Sequence, residues 1–157
     1  MQQEKINIED NLSQLLKMAN LYDEYKHFKF HHIGIASTDV EKDFEDYMNI
    51  GYKKADIYTD ENMCVKGLFI INENMPALEL LENLPNGHLL DVYLKHSMKM
   101  FHQAYIVDDF KYCSDVLVNK LGGKIVSDIY ISTYFKGKCC YVLTPDRFII
   151  ELIEDKR

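Results

Sequence analysis

The sequence predicts an α+β fold: two paired βαβββ modules in one domain, preceded by an N-terminal helix. Two observations carry this. The stretch HHIGIASTDVEKDFEDYMNIG, a strand, an Asp cap, a helix and a glycine stop, restarts as FHQAYIVDDFKYCSDVLVNKLGG, with His102 in the place of His32 and Asp109 in that of Asp39, both displaced by the same interval. The closing strands PALELLE and FIIELIE then match with Glu151 over Glu79 at a slightly longer interval, and the two extra residues fit in a loop. Self-similarity at a fixed period is the mark of a duplicated unit. A chain of 157 residues suits one domain and buries roughly 70% of its unfolded surface.

Each element has its own reason. Residues 7–27 place Leu12, Leu15, Leu16, Ala19, Tyr22 and Tyr25 at helical spacing, which predicts one amphipathic helix that packs on the domain or on a second subunit. In FHHIGIA, alternation sets His32, Gly34 and Ala36 on one face, and Ile33 and Ile35 on the other. By the same rule His31 faces away from His32 and reads as structural. Ser37, Thr38 and Asp39 offer cap oxygens to a helix whose apolar stripe is Val40, Phe44, Tyr47 and Met48 and which stops near Gly51. Strands are expected at about residues 52–58, 65–72 and 77–82, separated by the polar turns YTDEN and NENMP. LPNGHLLDVYLKH reads as a turn and a short helix. In the second module, strands are expected near residues 124–131, 138–144 and 148–153. The division is thus residues 1–28 as a helical extension and 29–157 as one domain, with modules at about 29–84 and 99–155.

Composition excludes several classes of function. A net charge of −7 with scattered lysines and two arginines provides no concentrated basic face for nucleic acid. No apolar run approaches the ~18–20 residues of a membrane span, and MQQEKINIED lacks the order of a signal peptide, so a cytoplasmic protein is expected. Cys64, Cys113, Cys139 and Cys140 have no CxxC spacing and read as small apolar residues.

The residues that bear chemistry are costly ones. Glu79 sits between Leu78 and Leu80, and Glu151 lies within FIIELI. A carboxylate in an apolar strand is expensive unless it is paired or holds a metal. With His32 and His102 on equivalent strands, a pseudo-twofold pairing of the modules could gather His32, Glu79, His102 and Glu151 into one cleft. Two imidazoles and two carboxylates suit a divalent ion of cobalt, nickel, zinc, manganese or iron, and leave positions open for water or substrate. His27, His88 and His96 fall in helices or turns and receive no role, and Gly137 reads as a hairpin glycine.

The paired units, the HHIGIA and FHQAYIVDD openings and the ALELLE and IIELIE closings resemble the vicinal oxygen chelate superfamily. That superfamily includes glyoxalase I, methylmalonyl-CoA epimerase, extradiol dioxygenases and the bleomycin and fosfomycin resistance proteins. The resemblance spans about residues 30–154 and is greatest to methylmalonyl-CoA epimerase-like proteins. It implies a curved sheet around a metal cleft, with His32, Glu79, His102 and Glu151 as metal ligands and Glu151 also moving the proton. The implied activity is that of a metal-dependent isomerase or lyase, by α-proton transfer beside the carbonyl of a small carbonyl or acyl-thioester substrate. KGLFII departs from the epimerase pattern, because the strand where a second carboxylate is expected has none: Gly67 sits mid-strand and the nearest acids are Asp60 and Glu61 in the preceding turn. A glyoxalase I-type isomerisation, which needs one glutamate shuttle, and a non-catalytic small-molecule-binding protein of the resistance type are the alternatives. A dioxygenase fits less well, since Glu79 would fill a position that oxygen or substrate needs. Sheet edges and the stripe of the N-terminal helix favour a homodimer.

Overall fold

A computed structural model describes residues 10–157. The part of the predicted N-terminal helix at residues 7–9 lies outside them. Helix α1 (Asn11–Met18) is capped by Asp10, whose carboxylate accepts from the Ser13 amide and from the Tyr25 hydroxyl. The helix does not run to residue 27 as its apolar spacing suggests. Asn20 takes a left-handed conformation at φ 57°, and the Leu21 amide reaches back to the Leu16 carbonyl at 2.6 Å. Asparagine tolerates that conformation, and the closure ends a helix. A 3-10 stretch (Tyr22–His27) follows.

The first module runs β1 (Phe28–Ser37), α2 (Val40–Met48), β2 (Lys53–Asp60), β3 (Val65–Ile71) and β4 (Leu78–Asn83). After α3 (Asp91–Lys95) the second runs β5 (Met100–Val107), α4 (Phe110–Asp115), β6 (Lys124–Ile125), β7 (Tyr130–Ile131), β8 (Lys138–Leu143) and β9 (Ile149–Ile153). The caps repeat with the sequence: Asp39 accepts from the amides of Glu41 and Lys42, and Asp109 from that of Tyr112. Gly51 and Gly122 carry the chain out of each helical segment at φ 94° and 84°. Two details differ from expectation. The strand expected at residues 124–131 is two short pieces, and α4 continues into a π-helical turn (Val116–Lys120).

The strands form one open, curved sheet in the order β2-β3-β4-β1-β5-β9-β8-β6, with β7 also on β8. β1 and β5 meet antiparallel at its centre, each flanked by the parallel closing strand of its own module. This is the pseudo-twofold pairing that the repeat suggests. On the outer face, α2 packs Val40 and Phe44 on Ile35, Leu68, Ile70 and Leu80. There α4 and α1 cover Tyr105, Val107, Ile150 and Leu152. Leu12 and Leu16 are fully buried against this chain's own second module, and each contributes about 1.5–3 kcal/mol. Leu12 and Leu16 of the α1 stripe are therefore covered by this chain itself, while Ala19 and Tyr22 stay exposed. Among the described residues no helix is long and apolar enough to cross a membrane.

Candidate metal centre

The central ladder fixes the site. Across β1 and β5, His32 pairs with Ala104 and Gly34 with His102, so each histidine faces the small residue that the repeat sets two places beyond the other. Gly34 also neighbours Glu79 on β4, and Ala104 neighbours Glu151 on β9. Two rows, Glu79-Gly34-His102 and Glu151-Ala104-His32, thus lie side by side on the inner face. Small residues at the middle of each row let the four long side chains lean together.

All four are buried, and one donor atom from each lies within 4.8 Å of every other. His32 Nε2 is 3.1 Å from His102 Nε2 and 3.1 Å from Glu79 Oε2, and His102 Nε2 is 3.2 Å from Glu151 Oε2. Ions bonded to nitrogen and oxygen at about 2.0–2.1 Å hold adjacent ligand atoms about 3.0–3.4 Å apart. The spacing therefore fits such an ion. So does the chemistry, because two carboxylates face two imidazoles with no lysine or arginine among them, and Glu151 Oε2 is turned to both imidazoles, 3.2 Å from His102 Nε2 and 3.6 Å from His32 Nε2. Buried carboxylates are costly unless a cation, a protonated imidazole or a metal ion, answers them. The field of the pair shows in the titration. Burial opposes charge on His102, yet Glu151 and Glu79 outweigh it and raise its pKa to about 9. Burial likewise pushes Glu79 up, and His32 with His102 more than reverse this, holding its carboxyl well below the usual range.

The remaining glutamate oxygens are held by tyrosines. Tyr58 donates to Glu79 Oε1 at 2.5 Å, and Tyr130 donates to Glu151 Oε1 at 3.1 Å. These tyrosines are separated in sequence by the same interval as the glutamates, and they pair across the sheet with Gly67 and Cys139. The Tyr58 ring fills the space over Gly67, so the phenol stands where the strand lacks a carboxylate. Among eleven tyrosines in the sequence, only this shared interval singles the pair out.

Two readings of single residues change. His31 does not face away from His32. Phe30 pairs with Tyr105 and His32 with Ala104, leaving His31 as an extra residue in the strand. Such a bulge re-aims a side chain, and here it brings His31 Nδ1 within 2.7 Å of His32 Nδ1. Burial, reinforced by His32 and Arg157, lowers the His31 pKa to about 4. Asp60 is no free acid: its buried carboxylate accepts from the amides of Asn62, Met63 and Thr133. Gly137 lies in the connection of the β7–β8 hairpin, as expected, and a side chain there would overlap the Glu154 carbonyl.

The Thr133 bond is part of a clasp. Segment 132–135 of the second module crosses to β2, where Thr133 donates to the Thr59 carbonyl and Tyr134 to Asp56. Phe135 lies parallel to the His32 ring at 6.4 Å and edge-on to Phe69 at 6.2 Å. Arg157 stacks over Tyr134 and Phe135 at 4.4 and 4.9 Å. The centre is walled by aromatic rings.

Residues 31–136 match the family model of the glyoxalase/bleomycin resistance protein/dioxygenase superfamily. The chain belongs to this superfamily. Three of the four clustered residues fall inside the match, and Glu151 lies beyond it, placed by the repeat and by the sheet. Solved structures of the same fold include a hypothetical protein from Bacillus halodurans, with 19% identity over 83% of this chain and 96% of that one, at a TM-score of 0.69. The methylmalonyl-CoA epimerase of Mycobacterium tuberculosis shares 17% identity, covering 82% of this chain and 89% of that one, at a TM-score of 0.68. A Streptomyces coelicolor methylmalonyl-CoA epimerase in complex with 2-nitronate-propionyl-CoA shares 20% identity, covering 82% and 98%, also at 0.68. At such identities the likeness within the superfamily is one of fold. No curated protein sequence matches this chain.

Proposed function

We propose that this member of the superfamily is a divalent-metal-dependent isomerase or lyase that moves a proton on the carbon beside the carbonyl of a small carbonyl compound or acyl thioester. His32, Glu79, His102 and Glu151 would hold a cobalt, nickel, zinc, manganese or iron ion, and Glu151 would also carry the proton. The observation that supports this most is the gathering of the four side chains: Glu151 is buried, one of its oxygens accepts from Tyr130 and the other is turned to the two imidazoles, 3.2 Å from His102 Nε2 and 3.6 Å from His32 Nε2. The bound ion supplies positive charge that stabilises the charge gathered on the substrate's carbonyl oxygen as the proton leaves.

The chain's own residues do the rest. The Glu151 carboxylate takes the α-proton and returns it. The Tyr130 hydroxyl holds Oε1, so the carboxylate keeps one oxygen turned to the cleft. His32, His102 and Glu79 stand on neighbouring strands of a rigid ladder, which keeps their donor atoms in place before substrate arrives. Phe69, Phe101, Phe135 and Tyr141, all buried, limit water near the transferred proton. The acyl-CoA ligand in a neighbouring fold supports the acyl-thioester class.

Gly67 and Tyr58 favour a second reading within the same chemistry. With no second carboxylate on β3, one glutamate shuttling a proton between neighbouring carbons, as in a glyoxalase I-type isomerisation of a hemithioacetal, needs nothing more from the chain. The deciding experiment is elemental analysis of the purified protein, followed by α-proton exchange of an acyl-CoA in deuterated water beside turnover of methylglyoxal with glutathione. Metal-dependent exchange that is lost in Glu151→Gln supports the first reading, and turnover of the hemithioacetal alone supports the second. Failure to bind any of the five metals overturns both.

A further inference from the structure

The two ligand histidines are equivalent in the repeat but are not held alike, and the difference lies in the residue before each. His31 precedes His32 and Phe101 precedes His102, so these two neighbours are equivalent in the repeat as well. Both are extra residues in the central ladder: His31 falls between the pairs Phe30–Tyr105 and His32–Ala104, and Phe101 between Gly34–His102 and Ile35–Met100. The bulges turn both side chains onto the ligand that follows. The His31 and His32 rings meet edge-on at 5.0 Å and 81°, and the Phe101 and His102 rings at 4.8 Å and 79°. The packing is therefore the same in both modules, while the chemistry is not. His31 offers a ring nitrogen at 2.7 Å from His32 Nδ1, whereas Phe101 offers only carbon and His102 Nδ1 has no hydrogen-bond partner among the described residues.

We infer that His31 is a positioning residue: its hydrogen bond to His32 Nδ1 holds that ring with Nε2 on the metal centre, a hold that His102 lacks. The inference rests on the metal-site reading given above. An imidazole that binds a metal through Nε2 carries its proton on Nδ1, and a partner that accepts this proton fixes both tautomer and ring angle. His31 Nδ1 supplies the acceptor. Its own ring is set edge-on to Phe69 at 5.9 Å and to Phe135 at 5.4 Å, so the support is itself packed in place. The consequence is an asymmetric centre on a symmetric frame, with His32 as the fixed ligand and His102 as the freer one.

The module repeat supplies the variant. His31→Phe gives the first module the residue of the second, keeps an edge-on ring and removes only the acceptor. Zinc titration by calorimetry should show binding weakened about 10- to 100-fold, the range for loss of such a supporting partner, with the far-UV circular dichroism unchanged. A second measurement does not depend on the variant. In wild-type protein with 15N-labelled histidines, a 15N–15N coupling between the two Nδ1 atoms is expected with or without zinc. In the zinc-loaded protein the shared proton should sit on His32. Absence of that coupling, or zinc affinity within twofold of wild type in a folded His31→Phe protein, overturns the inference. If wild type takes no zinc or other metal, the proposed function fails, and the metal-free coupling still decides whether His31 holds His32.

Discussion

Gly34 lies directly across the central ladder from His102, and the His102 ring occupies the space that a side chain at position 34 would need. The mirrored pair sets Ala104 against His32, so there a methyl group is accommodated and the two rings are not posed alike. Gly34→Ala should therefore push the His102 ring off the centre while leaving the strand intact, since alanine is tolerated in a ladder. Zinc affinity is expected to fall by at least about tenfold, measured by calorimetry beside a thermal melt. Unchanged affinity would show that the ring has room to move.

Tyr58 and Tyr130 make a matched test of the outer glutamate oxygens. Removing one partner of a buried hydrogen bond costs about 1–3 kcal/mol, more when the group left behind is charged. Tyr58→Phe should lower metal-free stability by about that amount in urea unfolding. Tyr130→Phe should cost less, because its bond to Glu151 is 3.1 Å against 2.5 Å for Tyr58 and Glu79. Equal and negligible losses would mean that water replaces both phenols.

The repeat made the centre legible: once His32 and His102 fall on equivalent strands, as do Glu79 and Glu151, topology alone sends them to one place. What stayed hidden was whatever broke a local rule. Strict alternation turns His31 outward, and only the register between β1 and β5 reveals that an extra residue turns it back. The tyrosines were present in the repeat, but Tyr58 and Tyr130 sit on strands where sequence gives no reason to prefer one polar aromatic over another. Asp60 looked like an available acid because its partner Thr133 is distant in sequence and comes from the other module. Asn20 ended the first helix against a continuous apolar stripe, since a left-handed residue overrides periodicity.

The metal-free protein should lose stability as pH rises from neutral. His102 has a folded pKa of about 9 against an ordinary 6.5, because burial, which lowers it, is outweighed by Glu151 and Glu79. A group whose pKa is raised by folding stabilises fully below its unfolded value, and that contribution is lost as pH climbs through the folded one. The window is thus about pH 6.5–9, below the ordinary range of the buried tyrosines. Melting temperatures of chelator-treated protein across this window should fall in wild type and stay flatter in His102→Gln. Equal slopes would place the titration elsewhere.

Asp60 is the pin of the clasp, and its removal separates closure from chemistry. Its carboxylate orders the turn after β2 through the amides of Asn62 and Met63, and it holds Thr133 of the crossing segment at 3.1 Å. Asp60→Ala removes the acceptor of all three amides, while Tyr134 to Asp56 and the Arg157 stack remain. The segment should open more often without unfolding the sheet, since local opening costs less than global unfolding where few bonds hold a loop. Tyr134 and Phe135 are bulky aromatic residues suited to chymotrypsin, and Phe135 is buried in the closed form. Limited proteolysis should therefore cut Asp60→Ala within residues 130–135 several-fold faster than wild type, at temperatures where both give the same circular dichroism. Cleavage at the same rate would mean that the aromatic packing around Phe135, rather than the carboxylate, keeps the centre closed.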